Sequence, residues 1–470
     1  MSISNTHFGA QRIAEMLKDC KSIFFVGIGG INMSSLAHIS LCNGMRVGGS
    51  DRVRSALTDR LSGEGVEVFY QHDANNVTGY DALVYTVAIS EDNPEYLCAI
   101  ADGKPCISRS DYMGYLMTSY QRRIGVSGMH GKSTCTSMCA ATLILAGTDP
   151  TVLSGAELGM MGGAYRVSDS SRENFLFEAC EYMDSFLDFN PNVAVILNIE
   201  MDHVDYFKSM EHIKRSYAEF AAIAGCDGCV IANMDDANVR ETLVKNEGRV
   251  IGFGIDSADA DISARNIQNN GGRYAFDIIA FGTYVCSIQL RVSGYHNIYN
   301  ALASAAVALE CGLSGADITR GLEAFGGAAR RMEYKGRQNG ADVYDDYAHH
   351  PTEIRATLEG ARGMVGDGGR LFCAFQSHTY SRTAALLDEF ADALSLADEV
   401  LICDIYAARE INVYGITPEI FAEKIDGARA CHGFVEPAEI LKRELRAGDV
   451  AIVMGAGDVW HVFGNLELEA

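Results

Sequence analysis

Residues 125–134 read GVSGMHGKST. Three spaced glycines, then a lysine and two hydroxyl side chains, suit the cradling of a phosphate. The Walker pattern G-x-x-x-x-G-K-[ST] is met at its end by Gly131, Lys132 and Ser133, but Val126 stands where its first glycine belongs. The flanks favour the loop all the same. RRIGVSG before it suits a buried strand, and STCTSMCAATLILAG after it carries apolar residues at helical spacing up to a Gly147 stop. A strand, a glycine turn and a helix start aim free N–H groups and the positive end of a helix dipole at one point. Lys132 then reaches the outer phosphates and Ser133 offers a hydroxyl to Mg²⁺. The plain alternative is a Gly-rich turn with a surface lysine.

Four further stretches carry chemistry. VGIGGINMSSL holds Gly27, Gly29 and Gly30, with Asp51 about twenty residues on, as in a dinucleotide site. Asn32 replaces the last glycine of G-x-G-x-x-G, so a bare turn or another nucleotide diphosphate fits equally well. FEACEYMDSF and NIEMDH place Glu178, Glu181, Asp184, Glu200 and His203 at strand ends, where carboxylates hold Mg²⁺ beside a phosphate loop. GYHNIYNA sets His296, Asn297 and Asn300 at a helix start, where Asn is most often an N-cap. RRMEY, DDYAHHPTE and QSHTYSRT crowd Arg330, Arg331, Asp345, Asp346, His349, His350, His378 and Arg382 at strand ends. Adjacent histidines point apart and lack a third ligand nearby, so binding of a carboxylate or phosphate is the better reading than zinc. The C-x-x-C at Cys226–Cys229 also lacks a second ligand pair and reads as a turn into a buried strand.

These residues need a framework of strand–helix junctions, and the pattern supplies one. To residue 118 the chain alternates IFFV, a helix closed by Gly44, RVGGS, VEVFY, DALVYTVAI and a helix opened by Pro94. From the phosphate loop onward FLFEACEY, NVAVILNIE, GCVIANM and RVIGFG read as strands. ADISARNIQ, GGRYAFDIIA and GTYVCSIQLRV read as an antiparallel patch before an apolar helix. Past residue 326, ADVYDD, RLFCAF, DEVLIC and DVAIVM each end in a polar turn. The expected fold is α/β with three domains in line: 1–118, 119–326 and 327–470.

Composition narrows the function. The 470 residues carry 62 acidic against 38 basic side chains, a net charge of −24, which disfavours nucleic acid and anionic membranes as partners. Fourteen scattered cysteines, among them Cys98, Cys139, Cys373 and Cys403 in apolar runs, suit reduced core positions. With no apolar signal core or membrane span, the expected location is the cytoplasm.

Taken together, GIGGINMS, GSD, NPE, GMHGKST, EACE, NIEMDH, HNIYNA, ARRMEY, DDYAHHPTE, SHTYSRT and GAGD resemble, in order, the Mur ligases, ATP-dependent amino-acid ligases of bacterial cell-wall synthesis. That family's loop also lacks the first Walker glycine. The resemblance implies a Rossmann-like N-terminal domain for a UDP-sugar, a P-loop mononucleotide-binding central domain for ATP and a Rossmann-like C-terminal domain for an amino acid. It implies ATP-dependent joining of L-alanine to UDP-N-acetylmuramate, with Mg²⁺ (or Mn²⁺) as the metal; oligomeric state is left open. By resemblance Gly128, His130, Gly131, Lys132, Ser133, Thr134, His296, Asn297, Asn300, Arg331 and Asp346 face ATP. Ser133, Glu178 and His203 hold the metal. Gly29, Gly30, Asp51, His72, His349, His378 and Arg382 fall to the substrates, and Lys132, Glu178, His203, Arg331 and Asp346 to catalysis. A tripeptide-recycling relative, a non-catalytic sugar-nucleotide binder and an NAD-dependent oxidoreductase are the alternatives; the last leaves the second nucleotide loop unexplained.

Overall fold

The computed structural model describes residues 3–168, 170–203, 206–408 and 410–469. The chain divides into two compact units. The first comprises Met1–Glu200, Ser209–Gly252 and Ala306–Gly312; the second comprises Met201–Lys208, Phe253–Ala305 and Leu313–Ala470.

The first unit contains two sheets. Strands β1 (Ser22–Val26), β2 (Arg46–Ser50), β3 (Glu67–Phe69), β4 (Ala82–Tyr85) and β5 (Cys106–Ser108) form a parallel sheet in the order β3-β2-β1-β4-β5. β1 is buried along its whole length, as a strand covered by helices on both faces must be. Helices run between the strands. Residues Ile31–Cys42 end at Gly44, whose φ of 83° is left-handed, and Pro94–Ala101 start behind Asn93, whose side chain accepts the Glu95 and Tyr96 N–H groups.

The second sheet of this unit uses β6 (Arg122–Ser127), β7 (Thr151–Leu158), β8 (Gly163–Arg166), β9 (Asn174–Glu178), β10 (Val193–Ile196) and β11 (Cys229–Asn233), in the order β11-β10-β6-β9-β7-β8. All pairings are parallel except β7–β8. The strand β12 (Arg249–Gly254) carries the chain out of the unit.

In the second unit β13 (Ile262–Asn270), β14 (Arg273–Ala280) and β15 (Thr283–Ser293) pair antiparallel, as their polar turns suggest. Then come β16 (Glu333–Gln338), β17 (Ala341–Asp346), β18 (Leu371–Phe375), β19 (Glu399–Ile402), β20 (Arg429–Ala430) and β21 (Val450–Met454), in the order β16-β17-β21-β18-β19-β20. Alternation divides two cores between its faces: Leu371, Cys373 and Phe375 enter one, Phe372 and Ala374 the other.

The α/β class with parallel sheets is as the sequence indicates, with local differences. DALVYTVAI is strand only to Tyr85, because Thr86 accepts the Ile89 N–H and turns the chain. FLFEACEY stops at Glu178 and continues as a 3₁₀ segment over Tyr182–Asp188. Cys98 is half-buried rather than core, on a helix whose Leu97 and Ile100 are exposed. The helices Ala10–Leu17 and Arg109–Met117 and the three-residue β5 add to the elements that the hydrophobic pattern indicates.

Helix Arg109–Met117 packs so closely on the segment before β10 that a Cβ on Gly114 would stand 2.0 Å from the Asp188 carbonyl oxygen. That neighbour is backbone and has little freedom to yield. Gly114→Ala is expected to destabilise this unit by about 1–3 kcal/mol, read as a lowered melting temperature; an unchanged one would mean that the helix shifts freely.

Candidate functional site

The loop after β6 is built by strand, turn and helix. Val126 lies in β6 opposite Val195, so the missing Walker glycine corresponds to a position still inside the strand. Gly128 has φ 141°, and a Cβ there would meet the Leu197 Cβ at 2.9 Å. Gly131 caps helix Lys132–Leu145 in the left-handed region at φ 85°. The turn is clamped by Asn198, just beyond β10. Its side chain accepts the His130 N–H at 2.8 Å and donates to the His130 carbonyl at 2.9 Å, while its own carbonyl accepts from Met129 at 3.3 Å. His130 Nε2 lies 3.0 Å from Glu200 Oε2.

Lys132 is folded back onto the loop. Its Nζ donates to the Gly128 and Met129 carbonyls at 2.6 and 3.2 Å and to both oxygens of fully buried Glu181 at 3.1 and 3.0 Å. Burial is the largest influence and acts to lower the Lys132 pKa, but Glu181, Cys180 and Glu178 together outweigh it and the net shift is upward. The amine is therefore fully protonated at neutral pH.

Ser133 donates to Glu178 Oε2 at 3.1 Å, and Glu178 Oε1 takes the Ser154 hydroxyl at 3.3 Å and the Gly155 N–H. A Cβ on Gly155 would fall 2.7 Å from that carboxylate, so the glycine keeps the space open. A hydroxyl and a carboxylate held together are hard oxygen donors, the chemistry Mg²⁺ prefers. Thr134 follows in the first turn of the helix, half-buried. Among the sequence-nominated metal residues, the fold brings Ser133 and Glu178 together; His203 belongs to the second unit.

At the C-terminal edge of the first sheet, Asp51 follows β2 and accepts the Gly29 N–H at 2.9 Å; Gly30 caps the next helix. His72 Nδ1 lies 2.7 Å from Glu95 Oε2, which also accepts from Ser50 Oγ at 2.7 Å. Asn76 donates to the other Glu95 oxygen at 2.8 Å. Glu95 is wholly buried and orients the imidazole.

The second unit gathers residues from four distant stretches. His296 opens helix His296–Glu310. Asn297 is the second residue of that helix and donates to the Ser293 carbonyl at 2.6 Å, so it is no N-cap; Asn300 donates to Asn297 at 3.0 Å. Asp346, at the end of β17, accepts the Met332 and Ala348 N–H groups at 2.8 Å each. Burial raises its pKa, and Arg331 opposes the shift. Arg331 lies 5.1 Å over the Tyr347 ring and 3.8 Å from Glu353, which accepts the His349 N–H at 3.0 Å. The His349 and His378 ring centroids are 6.2 Å apart, and His378 stacks on Tyr406. Arg382 pairs with Asp202 at 3.0 Å. Burial acts to raise the Asp202 pKa, but Arg382, His203 and His350 together hold it well below the usual range.

Asn198, Glu95 and Glu353 were not nominated as site residues from the sequence. Each acts by holding a nominated residue, and only the fold shows which. Their sole sequence signal is a place inside NIEMDH, NPE and HHPTE.

A glycine turn between strand and helix on a parallel sheet, in a chain with two further α/β sheets, is a fold of the mononucleotide-binding type. Three family profiles match the chain in succession: "Mur ligase family, catalytic domain" over residues 22–121, "Mur ligase middle domain" over 126–308 and "Mur ligase, glutamate ligase domain" over 330–457. UDP-N-acetylmuramate–L-alanine ligase of Clostridium tetani is 40% identical over 460 residues, covering 97% of this chain and 99% of that protein. The protein of the same name from Acetivibrio thermocellus is 44% identical over 447 residues, 94% of each. Among solved structures, the UDP-N-acetylmuramate-alanine ligase of Thermotoga maritima superposes with a TM-score of 0.77 at 26% identity, covering 94% of this chain and 97% of that one. A murein peptide ligase from Psychrobacter arcticus shares the fold at a TM-score of 0.70, 24% identity and coverage of 96% and 100%. The chain belongs to the Mur ligase family.

Burial lowers the pKa of both His296 and His349 to about 4 from 6.5; Arg331 adds to it at His296, and Glu353 opposes it at both. Between these values the unfolded chain binds protons that the folded chain refuses, so stability falls as pH drops from about 6.5 to about 4. Asp345, raised to about 6 by burial, acts in the opposite sense in this window. His349→Gln is expected to flatten the decline by up to one proton, seen in melting temperatures between pH 7 and 5; parallel pH profiles for variant and wild type would refute it.

Proposed function

We propose that this chain is an ATP-dependent ligase that joins L-alanine to the carboxylate of UDP-N-acetylmuramate, releasing ADP and phosphate, in peptidoglycan precursor synthesis. The observation that carries the reading is similarity over nearly the whole chain to ligases of that name; the contacts of Lys132 with Glu181 and Ser133 with Glu178 support it.

The chemistry follows from what a carboxylate lacks. Its oxygen is a poor leaving group, so the substrate carboxylate first attacks the γ-phosphate of ATP, giving an acyl phosphate and ADP. The alanine amine then attacks the acyl carbon, and the tetrahedral intermediate collapses to amide and phosphate. The protein's part is positioning and charge neutralisation. In this reading the N–H groups of Gly128, Gly131 and the helix start that follows, with His130 and Thr134, cradle the nucleotide. Lys132 exchanges Glu181 for the β/γ-phosphates. Ser133 and Glu178, with His203, would hold Mg²⁺, which when bound neutralises phosphate charge. His296, Asn297, Asn300, Arg331 and Asp346 serve ATP from the C-terminal side. Gly29, Gly30, Asp51 and His72 hold the UDP moiety, and His349, His378 and Arg382 the amino acid and acceptor. The domains run 1–118, 119–326 and 327–470. Among the described residues no helix is long and apolar enough to cross a membrane; a cytoplasmic location is part of the proposal, since its nucleotide substrates are found there.

The test is phosphate release from ATP and Mg²⁺ with UDP-N-acetylmuramate, offering L-alanine, glycine, L-serine or the tripeptide in turn. Release with L-alanine and a product heavier by one alanyl unit is expected. Release with the tripeptide alone would make the protein a recycling ligase, and none with any acceptor would make it a binder. Lys132→Ala is expected to lower turnover by roughly 10²-fold or more while UDP-sugar binding persists; unchanged turnover would remove Lys132 from the reaction.

A further inference from the structure

Arg109 stands out among the cations near the phosphate loop. Arg122 pairs with Glu173, Arg123 donates to the Asn190 carbonyl and Lys132 is held by Glu181. Arg109 is half-buried, yet among the described residues its side chain has no hydrogen bond or ion pair. The charges it senses are Cys180 and Asp188. Asp188 is already occupied by His7 Nδ1 at 2.5 Å and Ser110 Oγ at 2.6 Å. Cys180 is exposed and senses Lys132 as well as Arg109, so its thiol lies in the field of both cations. Burial pulls the Arg109 pKa down, and Cys180 and Asp188 only partly oppose it. A guanidinium in protein stays charged, so this is a desolvated cation awaiting an anion.

Its place in the sheet says which anion. Arg109 follows β5, on the C-terminal edge that also carries Gly29, Gly30 and Asp51. In the order β3-β2-β1-β4-β5, it stands two strands from the β1 loop, about 10 Å away at the usual strand spacing. A diphosphate on the helix start at Gly30 spans less than that separation, whereas a whole sugar nucleotide is long enough to cover it. A planar five-donor fork matches a carboxylate in two parallel hydrogen bonds.

We infer that Arg109 binds the carboxylate of the acceptor sugar nucleotide and presents it to the nucleotide at the phosphate loop. This rests on the ligase reading above. The group it holds is the one that attacks the γ-phosphate, so the guanidinium also screens the approach of two anions.

The test compares two ligands by calorimetry on the full chain. UDP-N-acetylmuramate carries the carboxylate, and UDP-N-acetylglucosamine lacks it. Wild type should favour the first by roughly 10- to 100-fold. Arg109→Ala should abolish that preference while UDP-N-acetylglucosamine affinity stays within about twofold, and Arg109→Lys should restore part of it. KM for UDP-N-acetylmuramate should rise in Arg109→Ala with KM for ATP unchanged. Equal weakening of both ligands would assign Arg109 to the diphosphate or to folding and overturn the inference, as would an unchanged preference. Failure of wild type to bind UDP-N-acetylmuramate at all would instead overturn the ligase reading, and the inference with it.

Discussion

A phosphate loop must keep several backbone N–H groups free of internal partners and still hold its shape. The structure fixes the turn by the contact between Asn198 and the His130 peptide. β10 pairs directly with β6, so the residue just past β10 sits beside the loop just past β6. The parallel register of those two strands thus sets the loop, and the loop sets where Lys132 and Ser133 stand.

Carboxylates engage several of the groups proposed to meet ligands. Glu181 holds Lys132, Glu178 takes the Ser133 hydroxyl, Asp51 takes the Gly29 N–H and Asp346 takes two N–H groups beside Arg331. A donor buried without a partner is expensive, so a site made for phosphates needs internal anions that an incoming phosphate can displace. The strong net negative charge of the chain is in keeping with this. Arg109 departs from the pattern, having no such placeholder among the described residues.

Much of this was legible in the chain itself. The rhythm of IFFV, RVGGS and ALVY, and the three antiparallel strands from 262 to 293, were readable because alternation and glycine stops are local signals. Short elements such as β5 were not, since three residues carry no period. Asn297 read as a helix cap and turned out to be a donor inside the first turn, because the cap position depends on where the helix starts, to within one residue.

The sequence by itself determined the residue types at each strand end, the glycines that permit the loop and the order of motifs that marks the family. Those features depend on a few neighbouring residues and on side-chain chemistry. Which of them meet was decided by tertiary structure alone. Asp202 finds Arg382 across 180 residues, Glu178 finds Ser133 across 45, and Arg109 comes near Cys180. Such meetings are set by strand order and register, quantities that arise from the packing of whole sheets and have no local trace in the chain.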